Sequence, residues 1–262
     1  MFLKLIDNKI RKAFSDSAMQ YEVFASLQRE IGRELIKKIA YKENCSNILD
    51  VGMGTGYLTY KLHNLFPEAM VIGVDFASGM VQYAKEKYEG FEIVQADAEA
   101  LPFRENVFDV IVSNLVYQWV ADLQDSFQCC FSSLKEKGEF YMTMFGHNTL
   151  NELFVSLEKS SEKLKNEELA VKRLVAQNTI VEMIRTVGFK DIRINAEIIK
   201  LHFVDLWELI LWLKKIGANV IEKDIYVGRD WLSRANDYYQ QNFKDRWGIS
   251  ATFEVLWVEA KK

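Results

Sequence analysis

The run Asn47-Ile48-Leu49-Asp50-Val51-Gly52-Met53-Gly54-Thr55-Gly56 constrains this chain more than any other. Four apolar or acid-capped residues read as a short buried strand, and the strand enters a turn with glycine at every second position. Glycines spaced this way let the backbone approach a ligand where side chains would collide. Residues 57–65 follow with helical spacing, so the turn opens a helix. A strand, a glycine turn and a helix N-terminus together make a nucleotide-type site, although such a turn can also be purely structural.

The turn discriminates between ligands. The dinucleotide fingerprint needs a third glycine at position 57, and Tyr57 stands there. An acid, Asp50, precedes the first glycine. A carboxylate there repels a pyrophosphate and suits a cationic ligand without phosphate. S-adenosylmethionine, which carries a sulfonium and an ammonium, meets that description.

The rest of the chain alternates strand and helix. Strands are predicted at 48–51, 70–74, 91–96, 108–112 and 138–145, with helices near 57–65, 78–88 and 123–134. This alternation predicts right-handed crossovers and a parallel sheet. Residues 192–201 and 251–258 are predicted as two further strands, the last placed at a sheet edge because it ends on charged Glu259 and Lys261-Lys262. Three segments fall outside the pattern: 1–41, 146–172 and 205–243. They are mainly helical and are expected to form a lid over the strand ends that carry the glycine turn. The expectation is one domain over 1–262: an α/β, Rossmann-like, seven-stranded, mostly parallel sheet with helices on both faces and a helical lid.

Composition removes several alternatives. Apolar residues make up 49% of 262, ample for one large core, and the net charge of −4 argues against nonspecific nucleic-acid binding. The chain from Lys159 onward is net positive and the remainder net negative. Cys45, Cys129 and Cys130 have neither metal spacing nor a disulfide framework, and His63, His147 and His202 lie far apart. No metal is expected. With no apolar run near the roughly 18 residues of a membrane span, and none resembling a signal peptide, a soluble cytoplasmic protein is expected.

Polar residues recur at the predicted strand tips. Asp75 ends the second strand, where a carboxylate can accept both ribose hydroxyls of an adenosine. Asp97 and Ala98 follow the third, where an acceptor and a backbone donor can read an adenine amino edge. Asn114 follows the fourth and faces the methionyl end. Each is by itself also an ordinary polar strand cap. With Asp50, four such residues at four successive parallel-strand tips point to a ligand, because open sheets of this kind bind ligands there.

This combination resembles the class I S-adenosylmethionine-dependent methyltransferases. The likeness rests on Leu49–Gly56, on Val74-Asp75-Phe76-Ala77-Ser78-Gly79-Met80, on Asp97–Phe103 and on Phe108–Ile111. It implies cofactor contacts from Asp50, Gly52, Gly54, Gly56, Asp75, Phe76, Met80, Asp97, Ala98 and Asn114. A second resemblance covers nearly the whole chain. Phe14-Ser15, Tyr21-Glu22, Leu27-Gln28-Arg29, Ser113–Trp119, Phe145–Leu153 and Leu213–Asn219 resemble the malonyl-acyl carrier protein O-methyltransferases of biotin synthesis. Two departures are Met53, where many members have cysteine, and Arg173-Leu174-Val175-Ala176, where relatives often read Arg-Phe-Leu-Pro.

The second resemblance implies transfer of a methyl group to the free carboxylate of a malonyl thioester on an acyl carrier protein. The resulting ester masks a charge, so that fatty-acid elongation enzymes accept the chain as a biotin precursor. Tyr21 is then expected to close over the sulfonium, or to be a helix-face aromatic. Gln118 and Trp119 are expected to line the transfer pocket, although Trp119 equally suits a core. Asn148 and Thr149 are placed to donate to the malonyl group or to cap a helix. Arg173, Lys214 and Arg229 are candidate partners for the carboxylate or the phosphopantetheine. A free small dicarboxylic acid is the alternative acceptor, and a noncatalytic adenosine-binding module the alternative class.

Overall fold

The computed structural model describes residues 2–40, 42, 45–161, 174–218 and 229–262. Strands β1 (Asn47–Val51), β2 (Met70–Asp75), β3 (Glu92–Gln95), β4 (Phe108–Asn114), β5 (Leu134–Phe145), β6 (Lys190–Phe203), β7 (Lys244–Asp245) and β8 (Gly248–Lys261) form one sheet. Its order is β3-β2-β1-β4-β5-β8-β6, with β7 paired to β8. The expected seven strands are present, and the two-residue β7 adds an eighth. β1 through β5 pair in parallel, whereas β8 runs antiparallel to both β5 and β6.

The chain winds outward from β1 to β3, then crosses to β4 on the other side of β1. The strand order therefore reverses between β1 and β4, and the crevice at their carboxyl ends is the switch point where such sheets take ligands. The glycine turn leaves β1 at that place. The period-two alternation of a strand sends Ile48 to one face and Leu49 to the other. On the Ile48 side α2 (Ser26–Ile39) and α3 (Tyr57–Leu65) bury Ile31, Leu35, Leu58 and Leu62. On the Leu49 side α5 (Leu123–Ser133) and α7 (Gln177–Val187) bury Phe127, Ile180 and Ile184 with Phe108 and Phe140. Burial on both faces explains why the strands are continuous apolar runs.

Two expectations are corrected. β8 is not an edge strand: it lies between β5 and β6, and Phe253, Val255, Leu256 and Val258 are buried. Its charged tail lies at the strand's end, where β5 and β6 still flank it. The edge is β6, mostly exposed along its length and rich in charge, which blunts an open edge. Helix α7 was also not anticipated. Its signal was present in the sequence: Ile180 and Ile184 one turn apart, then Gly188, which closes the helix at φ +119°.

β6 and β8 are each 14 residues long, and their far ends project past β5 on the glycine-turn side. α6 (Asn151–Ser161), α8 (Leu206–Lys215) and α9 (Arg229–Asn242) pack around that projection. Trp212 of α8 contacts Phe203 and Phe253 there, and its indole N–H donates to the Phe24 carbonyl of α1 (Phe2–Phe24) at 3.2 Å.

Candidate active site

The glycine turn is built by close approach. The amides of Gly52 and Met53 both donate to the Val74 carbonyl, at 2.7 and 2.9 Å, which folds the turn back over β2. Gly52 has φ +74°, and a Cβ there would lie 2.2 Å from Val116. Gly54 has φ +56°, and its missing Cβ faces open space bounded only by the Tyr21 ring at 4.0 Å. One glycine is thus required by packing and the other leaves room above the backbone.

Asp75 locks this turn. One carboxylate oxygen accepts the Gly54 amide at 2.9 Å and the other the Ala77 amide at 2.8 Å. Burial nevertheless outweighs those bonds and raises its pKa to about 6. Asp50 is fully buried on β1. Its Oδ2 accepts the Thr59 hydroxyl at 2.7 Å, and its Oδ1 has no partner. Burial, reinforced by the nearby Asp75 charge, pushes Asp50 up to about 7. An unsatisfied buried carboxylate oxygen is costly and calls for a donor or a cation.

A cleft opens beside these groups. Gly52, Asp75, Phe76, Asp97, Ala98 and Trp119, all expected at the site, line it together with Val51, Glu99, Val116 and Val120. Met80 is buried next to it, packed with Ala18, Ala77, Tyr21 and Phe76 between α1 and α4 (Ser78–Lys87), and does not line the cleft. Asp97 accepts the Glu99 amide at 3.1 Å.

α1 crosses this region. Its Arg11 lies 3.6 Å from Asp97 and 5.3 Å over the Phe76 ring, and Phe14 meets Trp119 edge-on at 5.3 Å. Glu22 accepts the Thr55 hydroxyl at 2.9 Å and Lys87 at 2.7 Å, which ties the end of α1 to the glycine turn. Burial, and then the Asp75 charge, raise the Tyr21 phenol well above its ordinary value. Tyr21 therefore stays protonated at neutral pH. Arg11 was missed in the sequence, because a lone helical arginine carries no motif.

Several expected residues have hydrogen-bond partners within the fold. Asn114 donates to the Gln28 carbonyl at 2.9 Å and accepts the Thr143 hydroxyl at 2.8 Å. Gln118 donates to the Leu115 carbonyl at 2.7 Å. Asn148 grips Glu254 through its backbone and side-chain N–H groups, at 2.9 and 3.0 Å. Thr149 bonds the Glu254 backbone. Lys214 and Arg229 are exposed, and Arg173 lies outside the described residues. No cluster of metal-ligating side chains occurs among the described residues, and none of their helices is long and apolar enough to cross a membrane.

The site suits S-adenosylmethionine on its own geometry. Asp50 offers an unpartnered buried acceptor, Gly54 leaves room above the turn, and Asp75 and Asp97 present acceptors along the cleft.

Comparison with known proteins agrees. A methyltransferase domain model matches residues 49–142. Malonyl-[acyl-carrier protein] O-methyltransferases are similar over almost the whole chain. The one from Bacillus anthracis is 30% identical over 261 residues, covering 97% of this chain and 96% of the relative. That from Acetivibrio thermocellus is 29% identical over 98% of this chain and 95% of its own length. Among solved structures, the YcgJ protein from Bacillus subtilis superposes with a TM-score of 0.62 at 17% identity, over 88% of this chain and 97% of that one. A Haemonchus contortus phosphoethanolamine N-methyltransferase 2 in complex with S-adenosyl-L-methionine gives 0.60 at 19% identity, over 95% of this chain and 57% of that one. With a glycine turn at the sheet's switch point, and with likeness running end to end, this S-adenosylmethionine-dependent enzyme belongs to the malonyl-[acyl-carrier protein] O-methyltransferase family.

Proposed function

We propose that the enzyme methylates the free carboxylate of a malonyl thioester borne on an acyl carrier protein, and that the ester serves as a biotin precursor. The observation that carries this reading is the extent of the similarity. Relatives bearing that name match 97% of the chain, so they share α1, α6, α8 and α9 as well as the cofactor-binding core.

The chemistry suits the residues at hand. S-adenosylmethionine, when bound, supplies an electrophilic methyl group on a positive sulfur. A malonyl carboxylate is already ionised at pH 7, so its oxygen bonds the methyl carbon as the carbon–sulfur pair returns to sulfur, and no base is needed. What the protein must do is align the groups and exclude water. Asp75 takes the ribose hydroxyls on the lone pairs left by Gly54 and Ala77. Asp50 faces the cationic end of the cofactor, and Asp97 with Ala98 reads the adenine. Tyr21, protonated, donates to the acceptor above Gly54. Trp119, held by Phe14, walls the cleft on that side. Gln118 and Asn148 border the acceptor, and Lys214 and Arg229, exposed on α8 and α9, meet the phosphate of the carrier's arm.

The test reads intact masses after incubation with S-adenosylmethionine and malonyl-carrier protein, malonyl-coenzyme A or free malonate. A methyl gain on the carrier-bound malonyl group is expected. Gain on the free acid alone would overturn the reading.

A further inference from the structure

We infer that Arg29, on the first turn of α2, is the residue that binds the acceptor's carboxylate; this rests on the function proposed above. Helix α1 breaks at Ala25, and the Arg29 side chain folds back to donate to the Glu22 carbonyl. A guanidinium has five N–H donors, and this contact uses one. Among the described residues Arg29 has no carboxylate partner. Glu30, next to it in the chain, pairs with Arg33, and Glu22 is already committed to Thr55 and Lys87.

The location is fixed from two sides. Glu22 grips Thr55, which lies between Gly54 and Gly56, so the carbonyl that Arg29 holds belongs to a residue anchored on the glycine turn. The Asn114 amide donates to the carbonyl of Gln28, which pins the first turn of α2 to the tip of β4. Arg29 is thereby held between the turn and the strand tip where the methyl end of the cofactor is expected. The electrostatic influence of Arg29 on the buried Tyr21 phenol agrees with that position.

The surroundings favour an anion. α2 has no side-chain cap at its N-terminus, the positive end of a 14-residue helix. Other cations fit less well. Arg11 sits at the adenine end on Asp97, Arg33 pairs with Glu30, and Lys214 and Arg229 are exposed. A planar guanidinium can hold one carboxylate oxygen while the other attacks. The attraction disappears once the ester is neutral, so the same contact that binds substrate releases product.

The experiment compares the intact enzyme with Arg29→Gln and Arg29→Lys. Two ligands are used, malonyl-carrier protein and the uncharged acetyl-carrier protein, the latter as a competitive inhibitor. Loss of one charge-assisted contact predicts KM for malonyl-carrier protein higher by about tenfold to a hundredfold in Arg29→Gln. The preference for malonyl over acetyl carrier should vanish, Arg29→Lys should recover part of it, and calorimetric affinity for S-adenosylhomocysteine should stay unchanged. Retention of the preference in Arg29→Gln would overturn the assignment. So would equal weakening of both carriers, which would reduce Arg29 to a brace for the α1–α2 break. Should the wild-type enzyme act only on a free dicarboxylic acid, the proposed carrier substrate fails, and the same comparison between that acid and its uncharged dimethyl ester tests Arg29 independently.

Discussion

Asp50→Asn should make the ligand-free protein more stable at neutral pH while weakening its hold on the cofactor. Asp50 is fully buried, with one oxygen on Thr59 and the other unpartnered. Raising a carboxyl from 3.8 to about 7 corresponds to about 4 kcal/mol of destabilisation once the group is ionised. The folded state holds this proton more tightly than the unfolded chain does. Stability from Asp50 is therefore full below about pH 4, falls as the pH rises towards 7, and levels off above. Asp75, raised to about 6, contributes a slope of the same sign over the lower part of that range. Asp109 is also penalised by burial, but Lys135 and the Asn47 and Ser46 amides outweigh it and lower its pKa, so its window lies at more acid pH.

The asparagine keeps the Thr59 bond through its carbonyl and leaves an amide N–H to satisfy, at a cost of about 1–3 kcal/mol. The expected gain at pH 8 is then about 1–3 kcal/mol, read from urea midpoints, with a flatter profile between pH 5 and 7. Calorimetry should show S-adenosylmethionine binding more tightly to the wild type at pH 8 than at pH 6. It should also show weaker binding to Asp50→Asn at pH 8. Parallel urea profiles for the two proteins from pH 5 to 8 would refute the reasoning.

Asp75→Asn leaves one of the Gly54 and Ala77 amides facing an N–H. We expect a stability loss of about 1–3 kcal/mol and S-adenosylhomocysteine affinity lower by about tenfold or more, and unchanged affinity would remove the ribose role. Gly52→Ala places a Cβ 2.2 Å from Val116 in a left-handed backbone, so a loss above about 2 kcal/mol in urea unfolding is expected, partly restored by adding Val116→Ala. Gly79→Ala drives a Cβ to 2.2 Å from the Ser15 carbonyl oxygen, a backbone atom. It should loosen α1, seen as faster proteolytic cutting near residues 15–24 and weaker cofactor binding, with the main urea transition little changed; intact resistance to protease would count against α1 as the cover.

Cofactor chemistry was legible because it is local. Asp50, the glycines and Asp75 belong to strand–turn–helix units in which a few neighbouring residues dictate the backbone, and parallel strands bring their tips to one end whatever else the chain does. Asp97 and Ala98 followed from the same logic, and the cleft contains both. Helix starts at Tyr57, Ser78 and Leu123 were equally local.

The acceptor side was not legible, because long-range contacts assemble it. Asn114, expected at the methionyl end, joins α2 to β5 through Gln28 and Thr143, contacts no local pattern announces. Asn148 is spent on Glu254, more than a hundred residues away. Lys214, in sequence a candidate partner for the carboxylate or the phosphopantetheine, is exposed on α8. Conversely, Arg11, Glu22 and Arg29 gained their positions only when α1 packed on α4 and broke at Ala25. Sequence alone thus determined the strand–helix alternation and the glycine turn, since near-neighbour sterics and hydrophobic periodicity suffice for them, and the Asp50 charge with the motif resemblance pointed to the adenosyl ligand. The tertiary structure alone decided which strand is the edge, which polar groups are consumed by the fold, and where Arg11, Glu22 and Arg29 stand relative to the glycine turn. Those outcomes depend on how distant segments satisfy one another's buried donors and acceptors.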